Sequence, residues 1–250
     1  MRGRRALAAL AAVALLPVSG CSSGEQQTIT VLAASSLTET FSDLARTFED
    51  GHPGVTVKLA FDSSATLAEQ AAAGAPADVL ATADVDTMAS AQDAGVIVDS
   101  PRVFATNSAV VVTPATAPGG PVTAFGDLAD PSVTYVVCVD TAPCGKVARA
   151  LLDAAAITHD PASLEPDVKA VLARVTQGEA DAGIVYATDA IAAGDQVRTV
   201  PIPGAGDQLT TYSLGALAQS DHPELAQEFL DLVTGADGQR LLAEAGFGHA

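Results

Sequence analysis

From Thr28 onward the chain alternates short aliphatic runs with helical segments, and this rhythm restricts the fold more than any other feature. ITVLAA (29–34) leads into SLTETFSDLARTFED, where Leu37, Phe41, Leu44 and Phe48 fall on one helical face. VTVKLAF sets Val55, Val57, Leu59 and Phe61 at every second position, the period of a strand. SATLAEQAAAG then reads as a helix, ADVLATAD as a strand, and VDTMASAQDAG as a helix closed by glycine. After NSAVVVTP, the stretch ATAPGGPVTAFGDLADPS reads as a surface connection around a short helix. VTYVVCV, GKVARALLDAA, DVKAVLARVTQG, AGIVYA and TDAIAAG resume the alternation. PIPGAGDQ is a loop, TTYSLGALAQS a strand, and PELAQEFLDLVTGADGQRLLAEAG a terminal helical pair. Such an order predicts an α/β fold with parallel-rich sheets covered by helices, in which ligands sit beyond the carboxyl ends of strands. The length of 250 residues suits one large domain or two lobes of roughly a hundred residues each.

The first 21 residues do not belong to that pattern. MRGRR is basic, ALAALAAVALL is apolar but too short to favour a membrane span, and VSGC is a small-residue cleavage site. VSGC resembles a bacterial lipobox, which implies cleavage before Cys21 and a lipid on its thiol; an ordinary secretory signal is the alternative. SSGEQQ (22–27) then reads as a polar tether from the membrane surface. Lys and Arg number 12 against 30 Asp and Glu, a formal net charge of −18; without Arg2, Arg4 and Arg5 it becomes −21. That balance speaks against a nucleic-acid partner, since phosphate backbones are held by clustered cations. It also requires any bound anion to be held by local donors against the general field.

Export places Cys138 and Cys144, in VVCVDTAPCGK, in an oxidising compartment. This favours a disulfide bracing a strand-to-helix turn over free thiols. The four scattered histidines do not supply a zinc site.

VLAASSLTETF, LAFDSSATLAE and VDTAPCGKVAR each place hydroxyl or small residues between a strand and a helix start. EPDVKAVLARV is a fourth helix start, with Val168 in its first turn. The free N–H groups and dipole of a helix N-terminus suit a deprotonated oxyanion, and serine adds a hydroxyl donor. The competing reading is capping: Ser36 with Glu39, and Thr66 with Glu69, have capping-box spacing. Val168 alone reads as core, in phase with Val171, Leu172 and Val175, and Tyr186 alone as a strand-end tyrosine. No nucleophile elbow, phosphate loop or HExxH pair occurs, which speaks against an enzyme. A hydrolase using Ser36 or Ser64 lacks a base. Asp84, Asp86 and Asp181 read as solvated acids.

AASSLTETFSDLARTFE, FDSSATLAEQAAAGAPADVLATAD and GEADAGIVYATDA together resemble the periplasmic molybdate-binding proteins of ABC importers. The likeness runs from about Thr28 to Phe247. It implies a two-lobed type II periplasmic-binding-protein fold, each lobe a mixed sheet flanked by helices. Lobe 1 would comprise 28–106 plus 211–250, and lobe 2 would comprise 107–210, with NSAVVVTP and TTYSLGAL near the crossings. Carried over by position, the resemblance implies ligand contacts at Ser36, Ser64 and Tyr186, with backbone donors at Cys144 and Val168. Two departures stand out: Cys144 replaces a smaller residue, and Asp62 precedes the serine pair where a small neutral residue is expected. A carboxylate facing the ligand would repel a dianion, so Asp62 is expected to point away.

The resemblance thus implies a monomeric extracytoplasmic receptor, tethered to the cell membrane through lipid on Cys21. It would capture molybdate or tungstate and deliver it to an ABC permease, with no cofactor and no catalysis. Sulfate or another small oxyanion is the alternative ligand. A sensory lipoprotein of the same ancestry is the alternative role.

Overall fold

The structure is a computed structural model, and it describes residues 26–116 and 120–250. The leader (1–21), the lipidation position Cys21 and most of the tether lie outside the described residues. Among the described residues, no helix is long and apolar enough to cross a membrane.

The first lobe opens with β1 (Gln27–Ala34), α1 (Thr38–Gly51), β2 (Val55–Asp62), α2 (Ser64–Ala72), β3 (Val79–Thr82), α3 (Val85–Asp93) and β4 (Ile97–Asn107). The chain then enters the second lobe with β5 (Ala109–Pro114), β6 (Tyr135–Cys138), α4 (Pro143–Ala154), β7 (Ser163–Glu165), α5 (Val168–Thr176), β8 (Ala182–Tyr186), α6 (Ala187–Ala193) and β9 (Val197–Val200). It returns through β10 (Thr210–Leu217), α7 (Pro223–Thr234) and α8 (Ala236–Glu244).

The two sheets are built alike. The first has strand order β2-β1-β3-β10-β4 and the second β7-β6-β8-β5-β9. In the first, β1 runs parallel to β2 and β3, while β10 is antiparallel to β3 and β4. In the second, β6 runs parallel to β7 and β8, while β5 is antiparallel to β8 and β9. Each sheet is therefore mixed, with its parallel strands all pointing their carboxyl ends the same way.

The apolar face read from the first helix is real: Leu37, Phe41, Leu44 and Phe48 are all buried, beside Phe104 and Phe229. Burying each such side chain contributes roughly 1.5–3 kcal/mol, which fixes α1 against its sheet. The alternation in β2 is less decisive, because β2 is an edge strand and only Val57 is fully buried. A second cluster around Val111, Leu128, Tyr135, Leu152 and Ile184 forms the other lobe's own core. Gly183 has no room for a Cβ beside Val171 and Val175, so α5 lies close on β8.

Three strands were not apparent in the sequence. β4 has mostly exposed or half-buried residues and no clean alternation, and β7 and β9 have only three and four residues. Two of the three acids read as solvated are not free: Asp84 caps α3 by accepting from Thr87 N–H at 2.9 Å, and Asp181 accepts from Thr134 N–H at 2.9 Å. Both satisfy backbone donors that the local sequence leaves open.

Candidate functional site

The carboxyl ends of β1, β2, β3, β6, β7 and β8 converge, and the residues at and just beyond them line one tight cavity of about 10 Å3. Ser35, Ser36, Ser63 and Ser64 reach it from the first lobe. Cys144, Val168 and Tyr186 reach it from the second. Thus Ser36, Ser64, Cys144, Val168 and Tyr186, each singled out on a different segment of the sequence, stand around a single space. No lysine or arginine is among the described residues lining it.

The serines do not behave as caps. Ser36 sits inside a 3-10 turn, Ser35–Leu37, that runs directly into α1, so no extended residue is available at Ser36 to cap the helix. Its Oγ lies 2.8 Å from the Tyr212 hydroxyl instead. At α2 the extended N-cap residue is Ser63, whose side chain makes no capping bond, and Thr66 falls within the helix. Ser64 Oγ accepts from Ala83 N–H at 2.9 Å. A hydroxyl whose oxygen already accepts from an amide has its proton free for another acceptor.

Two hydroxyls on lining residues, Ser63 Oγ and Tyr186 OH, are buried with no hydrogen-bond partner. Buried polar groups almost always have partners, so a pair of orphans on one cavity marks a place where a guest supplies the acceptor. Burial pushes the Tyr186 phenol well above its ordinary range, which keeps the proton on the oxygen. The backbone adds two more donors. Asp167 caps α5 by accepting from Lys169 N–H at 2.7 Å and Ala170 N–H at 3.1 Å, so the Val168 amide is left without an acceptor among the described residues. Cys144 follows Pro143 at the start of α4, and its amide is likewise unpaired.

Cys138, at the end of β6, forms a disulfide with Cys144, with the two Cα atoms 5.8 Å apart. The bond pins the first turn of α4 to its preceding strand. Gly145 continues that close approach, since a Cβ there would collide with the Val139 carbonyl.

Asp62, expected to point away, is nevertheless among the lining residues, and its Oδ1 accepts from Ser63 N–H at 2.6 Å. One carboxylate oxygen is therefore occupied by the amide at the mouth of α2.

Sequence reasoning missed Ser35 and Ser63, and it missed the layer behind Ser36. Tyr212 is fully buried, and Asn107 Nδ2 reaches its hydroxyl at 3.4 Å and Thr188 Oγ1 at 2.8 Å. These partners lie 176 and 71 residues from Ser36 in the chain, beyond any local pattern.

Two ion pairs bridge the lobes at the rim. Lys169 on α5 reaches Glu39 on α1 at 2.8 Å, and Lys146 on α4 reaches Asp84 at 2.7 Å. They use two of the three lysines in the chain. Lys169 Nζ also lies 3.0 Å from Asp189 Oδ1 on α6, a carboxylate with no solvent exposure. Burial pushes Asp189 up to about 6, although Lys169 pulls the other way. For Lys169, burial pulls downward, but the charges of Asp189 and Glu39 outweigh it and leave the ammonium raised.

The sequence matches the family model described as bacterial extracellular solute-binding protein over residues 29–248. It is 40% identical over 223 residues to the molybdate-binding protein ModA of Mycobacterium tuberculosis, covering 88% of this chain and 84% of that one. Among solved structures, the periplasmic molybdate-binding protein of Azotobacter vinelandii superposes with a TM-score of 0.80 at 18% identity, covering 89% and 99% of the two chains. The sulfate-binding protein SubI of Mycobacterium tuberculosis does so with a TM-score of 0.77 at 20% identity, covering 88% and 86%. At those identities the two structures speak to the fold alone, which is that of the type II periplasmic binding proteins.

Proposed function

Because the chain belongs to the bacterial extracellular solute-binding protein family, we propose that it is the substrate-binding protein of an ABC importer that captures molybdate. The observation that carries this reading is the cavity itself: unpaired or proton-directing donors from both lobes face one space, without a cation among them. The 40% identity to a molybdate-binding protein supports the choice of ion.

The ligand would be held by the hydroxyls of Ser36, Ser64 and Tyr186 and by the amides of Cys144 and Val168, with Ser63 Oγ as a sixth donor. A fully deprotonated oxyanion only accepts hydrogen bonds, and each bond to such a charged acceptor is worth ~1.5–3 kcal/mol net. Several together reach the roughly 8 kcal/mol of a micromolar complex. The donors belong to both lobes, so capturing the ion and closing the cleft become one event, and opening releases it to a permease. Tungstate, of nearly the same size and charge, binds the same donors. Sulfate presents the same acceptors on a smaller frame and leaves the donors over-extended. No step of this cycle makes or breaks a covalent bond, and no cofactor takes part. The chain acts as a monomer outside the membrane, held there by lipid on Cys21.

A thermal-shift panel on the chain from residue 22 tests the reading, since a ligand specific for the folded state must stabilise it. Molybdate and tungstate are expected to raise the melting temperature strongly, and sulfate and phosphate much less. Equal or greater stabilisation by sulfate overturns the choice of ion.

A further inference from the structure

Behind Ser36 lies a hydrogen-bonded chain whose direction is fixed at its far end. Asn107, the last residue of β4, stands where the chain crosses from one lobe to the other. Its Oδ1 accepts from Ser108 N–H at 2.9 Å. A backbone N–H can only donate, so this bond settles which end of the amide is oxygen and turns the Nδ2 group toward Thr188 and Tyr212. Nδ2 in turn can only donate, at 3.4 Å, to the Tyr212 oxygen. The Tyr212 proton is then free for Ser36 Oγ, 2.8 Å away. Ser36, having accepted it, has its own proton left for the cavity. Tyr212 is fully buried, and its phenol is raised above its ordinary range by burial, so it holds the proton that the chain requires.

We propose that Tyr212 and Asn107 are positioning residues that turn the Ser36 proton toward the bound ion. The same logic applies at Ser64, where the Ala83 amide occupies the oxygen. Two serines are thus oriented as donors, Ser36 by side chains behind the cavity and Ser64 by an amide at its wall. The consequence is affinity: a proton already aimed at the cavity meets the oxyanion without the cost of reorienting it. The inference rests on the oxyanion-binding reading above and assigns to it a source of affinity.

The test is a double-mutant cycle on Tyr212→Phe and Ser36→Ala, with molybdate titrated by calorimetry. Tyr212→Phe conserves the ring packing and removes only the hydroxyl. It is expected to weaken molybdate about tenfold, the scale of one charge-assisted hydrogen bond. In the Ser36→Ala background the same change should cost nothing further. Full additivity of the two substitutions overturns the relay and leaves Tyr212 a packing residue. Should Tyr212→Phe not fold, Asn107→Ala breaks the chain one step earlier and carries the same expected loss and the same cycle. Wild-type protein that fails to bind molybdate at all overturns the functional reading instead, so the two failures are distinct.

Discussion

Ser64 Oγ and Ala83 N–H are joined by a 2.9 Å hydrogen bond that ties the start of α2 to the end of β3. The bond serves fold and site together: it satisfies a buried amide, and it leaves the serine proton to a guest. Ser64→Ala therefore loses on two counts. The folded chain should be destabilised by about 1–3 kcal/mol, the cost of an unpaired buried donor, and molybdate affinity should fall at least tenfold. Ser63→Ala should weaken binding without that stability loss, because Ser63 Oγ has no protein partner to forfeit. Denaturant unfolding and calorimetry on both variants separate the two effects.

Tyr186 offers the opposite signature. Its hydroxyl is buried without a partner, so the empty protein bears an unsatisfied group that the ligand relieves. Tyr186→Phe should leave the ligand-free chain as stable as wild type or more so, by up to ~1 kcal/mol, while weakening molybdate binding about tenfold. Melting curves with and without molybdate should show the two shifts in opposite directions. A variant that is less stable without ligand but binds normally would remove Tyr186 from the site.

The cross-lobe ion pairs should hold the closed form. The pairs Lys169–Glu39 and Lys146–Asp84 can each form only with the lobes together, and partly exposed pairs of this kind are worth up to ~1 kcal/mol each. The double variant Glu39→Gln with Asp84→Asn should release molybdate several-fold faster, with a release rate less sensitive to salt than wild type. Asn can still cap α3, so folding is spared. Tighter binding in the double variant would mean that these acids act only by repelling the dianion.

Asp189 gives a pH dependence with a definite sign. Its carboxyl is raised from 3.8 to about 6 by burial, so the folded chain binds more protons than the unfolded one between those values. The stability due to the neutral acid is complete below pH 4 and is lost as pH rises through about 6. The groups facing it are Lys169 on α5, which pairs with it, Glu39 on α1, and the Tyr186 and Tyr212 phenols. The stability gap between wild type and Asp189→Asn should shift in favour of the variant as pH rises from 4 to 7.5, because only wild type has a buried acid to ionise. Urea unfolding at both values checks it. A gap that does not change with pH would place the benefit outside ionisation.

Much of this architecture is legible in the sequence because it is local. Leu37, Phe41, Leu44 and Phe48 declare α1 by spacing alone, and the turns after β1, β2 and β6 announce helix starts by their serines, proline and glycine. The pairing of Cys138 with Cys144 follows from six residues of separation in an exported chain. The edge strand β4 was hidden because its half-exposed residues do not alternate. Ser36 illustrates the deeper limit. Its spacing to Glu39 is that of a capping box, but a 3-10 turn and the Tyr212 hydroxyl take it out of that role. Whether a serine caps a helix or aims its proton at a guest depends on a partner 176 residues away, and no local pattern records that.

The central claim is that neutral hydrogen-bond donors, with no cation among them, hold the ion. A crystal structure of the molybdate complex, with the metal located by its anomalous scattering, tests it most directly. The molybdenum is expected between Ser36, Ser64, Cys144, Val168 and Tyr186, each offering a hydroxyl or amide at hydrogen-bond distance to an oxygen of the ion. Molybdenum bound elsewhere, or a lysine or arginine in contact with the ion, would contradict it.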